Sequence, residues 1–171
     1  MTAARPDKAG AGVAPVRHPG ERPVLPPVLP AVLPFRTTLT VQAGDINAGG
    51  HLGHDHAVTL LHELRVRWLA ACNASEAGTP AAPGIIVRTL GVHYHAEAFW
   101  GEVLDAGLGV LEAGGVRAVL GYRLGRAGTE VVTARTEIAF FDYVRRRPCR
   151  PPPALVTAIN RYRVPSANPE D

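Results

Sequence analysis

Between residues 54 and 71 the apolar side chains Ala57, Leu60, Leu61, Leu64, Trp68 and Ala71 recur every three or four positions. That spacing lines one face of an α-helix. Thr59, His62, Glu63 and Arg67 fall on the opposite side, so the pattern predicts an amphipathic helix from His54. Asp55 stands in its first turn, where a carboxylate favours the helix dipole. Elsewhere the period changes. Residues 35–43, FRTTLTVQA, alternate well enough for a first strand, which the glycine-rich stretch Gly44 to Gly53 then breaks. Gly78, Pro80, Pro83 and Gly84 make residues 73–84 a loop. From Ile85 to Phe140 the chain reads as strand throughout. Residues 85–98 pass through Ile85-Ile86-Val87 and His93-Tyr94-His95, and residues 102–112 alternate through Val103, Leu108 and Val110. Ala113-Gly114-Gly115 is a hairpin signal before Val116 to Leu124, and Arg126-Ala127-Gly128 is a turn before Val132 to Phe140.

Strand, long helix, then four strands joined mostly by tight turns predicts an α+β domain. Its economical form is a curved antiparallel sheet of about five strands wrapped around one central helix. One helix covers one face only, so the edge or back of the sheet is expected to meet another subunit, as a homodimer or homotetramer. Eight of the sixteen prolines lie in residues 1–34 and six more from Pro148 onward. Proline at that density favours polyproline II and forbids helix. Residues 1–33, in which Val24-Leu25-Pro26, Val28-Leu29-Pro30 and Val32-Leu33 with Pro34 repeat, are therefore expected to be a tail, extended where the prolines cluster. Residues 34–150 form the domain. Residues 151–171 form a C-terminal extension in which 154–162 is a candidate short helix.

Composition narrows the picture without redirecting it. At 171 residues, 46% apolar and 19% charged, the chain suits one domain with a real core. Cys72 and Cys149 are too few and too far apart for a disulfide framework. No apolar run resembles a secretion signal, and none reaches the roughly 18 to 20 residues of a membrane span. A cytoplasmic location is the resulting expectation. The net charge of +3 rests almost entirely on arginine, with Lys8 the lone lysine; that bias does not point to nucleic acid. Arg145, Arg146, Arg147 and Arg150 form the one local basic cluster. It reads either as a solvated edge or as an anchor for the phosphates of a large cofactor, which arginine forks suit.

The densest chemistry lies in residues 44–69, GDINAGGHLGHDHAVTLLHELRVRWL. This stretch resembles the 4-hydroxybenzoyl-CoA thioesterase branch of the hotdog superfamily, whose members read like D-x-D-A-x-G-H-V-N-N before a helix ending E-E-A-R. The matching residues are Asp45, Asn47, Ala48, Gly50, His51 and Leu52, then His62-Glu63-Leu64-Arg65. Phe140-Phe141-Asp142-Tyr143 and the Arg-Pro beyond them resemble the family's last strand, so the likeness spans about residues 35–150. It implies a hotdog fold and hydrolysis of an acyl-CoA or acyl-carrier thioester, without metal or redox cofactor and with no part for nucleic acid or membrane. The family's catalytic carboxylate falls at Asn47, and an amide can neither accept a proton at neutral pH nor form an anhydride. A hotdog subgroup reading like D-I-N-x-G-x-H-L-G carries asparagine there too.

Thioester hydrolysis needs a polarised carbonyl, a water and an acceptor for the water's proton. The unpaired N–H groups at the helix start suit the oxyanion, with Gly53 or His54 as donor. Asn47 can orient water or bond the carbonyl. The base is then Glu63, Asp45 or His51. Glu63 lies about 13 Å along the helix from its start, and would serve the site only from a partner subunit or along an extended substrate. His51 sits in the loop itself, and imidazole is the side chain suited to proton transfer at neutral pH. Each has a plainer role: Asp45 as a backbone cap, His51 as a structural hydrogen-bonder, Glu63 as an i,i+4 partner of Arg67, Asn47 as a turn residue.

Two other chemistries fit less well. His93 and His95 have ligand-like spacing, but a cupin-type metal site would next want a glutamate where Phe99 and Trp100 stand, and His54-Asp55-His56 lacks the outer histidine of a di-zinc motif. Hotdog hydratases resemble G-D-x-N-P-x-H; here Ala48 replaces the proline and His51 comes one residue late. An enoyl-CoA hydratase is therefore the alternative enzyme, and a non-catalytic acyl-thioester-binding module the alternative to an enzyme.

Overall fold

The computed structural model describes residues 29–80 and 82–165. The expectations for residues 1–28 and for the end of the C-terminal extension, 166–171, lie outside the described residues. In chain order the elements are β1 (Phe35–Thr40), a 3₁₀ turn (Ala43–Asp45), α1 (His54–Ala71), β2 (Gly84–Tyr94), β3 (Val103–Gly114), β4 (Arg117–Arg126), β5 (Thr129–Asp142), β6 (Arg147–Pro148) and α2 (Pro153–Asn160). The strands form one antiparallel sheet in the order β1-β3-β4-β5-β2, and the two-residue β6 pairs with the end of β5. The fold is the expected curved sheet around a central helix, with β6 as an added sixth strand.

α1 begins at the expected residue. Its buried side chains are Ala57, Leu60, Leu61, Leu64, Trp68 and Leu69. Ala71, expected on the apolar stripe, is exposed, and Leu69 and Cys72 close the core instead. The reason is that the stripe advances by 3.6 residues per turn, which carries it from Trp68 to Cys72. The helix ends as a Schellman motif: Asn73, at φ 54°, donates to the Ala70 carbonyl, and Ala74 donates to that of Leu69.

β2 is shorter than its apolar run suggested. It ends at Tyr94, and His95 to Ala98 turn away from the strand. Val116, expected to open β4, lies in the turn before it. Register shifts at Val110/Glu112, Leu124/Gly125 and Val87/Thr89 bend the sheet. Its inner face carries Leu104, Leu108, Leu120, Tyr122, Leu124 and Ile138, all fully buried.

The outer face is paved with glycine where the chain ends cross it. A Cβ on Gly109 would stand 2.6 Å from Val164 Cγ2 and 3.1 Å from both Leu33 Cδ2 and Pro34 Cδ; one on Gly121 would stand 2.6 Å from Leu29 Cδ2. Arg123 fastens this crossing by donating to the carbonyls of Pro30 (2.8 Å) and Ala31 (2.9 Å). Residues 29–33, expected from the sequence to be part of the tail, are thus seated on the sheet, and Leu33 is 3% exposed.

Candidate active site

The loop between β1 and α1 is closed by its own backbone. Asn47 N–H donates to the His51 carbonyl (2.9 Å) and Gly50 N–H to that of Asn47 (3.0 Å). Asn47 Oδ1 accepts from Gly49 N–H at 2.8 Å, an Asx-type turn. A Cβ on Gly49 would lie 2.9 Å from His51 Nε2, so a side chain there would push the imidazole aside. The loop is then tied to the segment that follows β2 by Leu52 N–H, which donates to the Ala98 carbonyl at 2.8 Å.

That tie creates a cavity of about 340 Å³ at the N-terminus of α1. Asn47, His51, His54 and Ala57 line it from the loop and helix, Tyr94 to Ala98 from the end of β2, and Val131 and Val132 from β5. Tyr94 bridges two sides of the lining, its hydroxyl donating to the His54 carbonyl at 3.0 Å. Gly53 is the N-cap, and its N–H is engaged by the Asp45 carbonyl at 2.8 Å. Of the two expected donors this leaves the His54 N–H for an oxyanion, with the helix dipole behind it.

The other expected site residues lie apart from the cavity lining. The Asp45 carboxylate accepts from Gln42 N–H at 2.7 Å and caps the 3₁₀ turn. Glu63 accepts from Arg67 Nε at 2.7 Å, and Arg67 reaches across to the Thr38 carbonyl on β1. Asp55, in the first turn of α1, is held below the usual carboxylate range chiefly by the backbone N–H of His56.

Glu97 is the residue that sequence reasoning missed. Its Oε1 lies 3.7 Å from His51 Nε2 on the lining of the same cavity, with the Glu97 side chain 64% exposed. No motif spacing connects positions 51 and 97; the one available signal was a lone acid between two alanines at the end of an apolar run. Among the described residues no three His, Cys, Asp or Glu side chains stand together as a metal centre requires.

A hotdog sheet with a helix N-terminus opening on a loop-and-strand cavity defines the class, and comparison with known proteins gives the family. The model of the thioesterase-like superfamily matches residues 41–159. The chain belongs to that superfamily. Solved structures with the same fold include a Staphylococcus aureus protein in complex with CoA, 20% identical, with TM-score 0.71 over 80% of this chain and 89% of that one. A 1,4-dihydroxy-2-naphthoyl-CoA thioesterase from Synechocystis is 19% identical, with TM-score 0.66 over 74% and 95%. A Thermus thermophilus thioesterase complexed with coenzyme A and Zn is 16% identical, with TM-score 0.64 over 76% and 94%. No curated protein sequence matches the chain.

Proposed function

We propose that the protein hydrolyses the thioester of an acyl-CoA or acyl-carrier substrate at the cavity before α1. The observation that carries this is the convergence of Asn47, His51 and the His54 end of the helix on one open cavity. The thioester oxygen faces the His54 N–H, where the developing negative charge meets the helix dipole. Water attacks the carbonyl carbon and yields its proton to His51. The carbon–sulfur bond then breaks, and the thiolate takes up the proton from the imidazolium, leaving acid and thiol. Asn47 keeps its oxygen on Gly49 N–H and has its amide nitrogen for the substrate or the water.

The test is thiol release from a chain-length series of acyl-CoAs. His51→Ala should lower kcat by about a hundredfold, in line with loss of a positioned base, and Asn47→Ala by about tenfold. Equal turnover by both variants and the wild type would remove these residues from the site. Loss of enoyl absorbance without thiol release would instead favour a hydratase, and tight acyl-CoA binding without turnover a binding module.

A further inference from the structure

We infer that Glu97 is the carboxylate partner of His51 and, with it, positions the attacking water in place of the acid that Asn47 lacks. The inference rests on the thioester reading above. Its starting point is the His51 ring. Nδ1 lies 3.2 Å from the Leu52 carbonyl and 3.4 Å from Asn47 Nδ2. We assign the hydrogen to Nδ1, facing the closer of the two, the Leu52 carbonyl, which can only accept. Nε2 then presents its lone pair to the cavity, 3.7 Å from Glu97 Oε1.

A lone pair and a carboxylate at that separation have no hydrogen between them. A water that donates one hydrogen to each satisfies both, and its own lone pair is then free to attack a carbonyl. When the water's proton passes to Nε2, the imidazolium forms beside the carboxylate and is stabilised by it. When the carbon–sulfur bond breaks, the same proton leaves with the thiolate, so Glu97 is unchanged over the cycle. Glu97 is thus a positioning residue that acts through His51.

Other groups facing His51 do not substitute for it. His54 on α1, His95 after β2 and Tyr94 on β2 line the cavity, and none carries negative charge at neutral pH. Asp55 turns to His56, 3.1 Å away, and Asp45 turns to Gln42. Among the described residues lining the cavity, Glu97 is the sole carboxylate. Leu52–Ala98 pairing fixes the loop beside its neighbour in sequence.

The experiment compares wild type, Glu97→Gln and Glu97→Asp by the pH profile of kcat/KM and by NMR titration of the His51 imidazole. Loss of the carboxylate should move the measured His51 titration to lower pH. The acid limb of the profile then moves to lower pH while its plateau falls by about tenfold or more. Glu97→Asp should restore part of both. Unchanged titration of His51 in Glu97→Gln overturns the inference, whatever the rates do. A wild type that hydrolyses no thioester overturns the functional reading instead, and the NMR titration still decides the pairing.

Discussion

Cys72 shows how little of a residue's reactivity is visible from its identity. Two thiols stand in the chain, and both are free. Cys72 is 3% exposed at the C-cap of α1, and burial pushes its thiol up to about 11. At pH 7 only about one molecule in ten thousand carries the thiolate there, and the thiolate is the reacting form. Cys149 is only half-buried, just beyond β6. A chromogenic disulfide reagent should therefore titrate one thiol per native chain at pH 7, from Cys149, and a second only after denaturation. Two fast thiols in the native protein would show that the end of α1 opens readily.

Among the elements, the loop after α1 is held to the helix by one charged side chain as well as by its backbone. Glu76 accepts from Arg65 Nε and meets His62 Nε2, each at 2.7 Å, and so pins the 73–83 loop to the helix. Burial raises its carboxyl, but the hydrogen bonds from Arg65 and His62 outweigh burial and hold it below the usual 4.5. A carboxylate lowered on folding adds stability that is fully present above its unfolded value and lost as pH falls through the folded one. Glu76→Gln should cost about 1 to 2 kcal/mol at pH 7, and the gap between the two proteins should narrow below pH 4.5. Urea midpoints across that range check it; a pH-independent gap would mean packing and not charge. Legibility in the sequence divides along the same line. The helix, the strands and the contiguous motif from Asn47 to His54 were readable because their geometry is local. Glu97 and Glu76 were not, since one comes to the site through a backbone bond between residues 52 and 98 and the other through a turn back onto α1. Glu63 illustrates the converse: its i,i+4 pairing with Arg67 is visible in the sequence and is present in the structure.

At the scale of the whole molecule, the sheet is covered unevenly. α1 lies over the β1 and β3 side. At the other end, Val87, Leu90 and Tyr94 of β2 pair with the buried Ile138, Thr136 and Val132 and so point to the helix side. Yet they remain 45%, 42% and 51% exposed. β2 has β5 on one side and no strand among the described residues on the other. An apolar flank beside an open strand edge is the kind of surface that pairs with another chain. The expected homodimer would supply that chain, because two antiparallel β2 strands related by a twofold axis present each other with the same open edge and the same three side chains. Tyr94 also lines the candidate cavity, so this pairing would place the partner beside the site and couple assembly to turnover. Leu90→Arg, which puts a charge in the middle of that apolar flank, should convert a sedimenting dimer to monomer and lower thiol release with it. A wild type that sediments as a monomer at micromolar concentration would overturn that expectation. A Leu90→Arg protein that loses its partner but keeps full activity would leave the dimer standing and show that each cavity is complete within one chain.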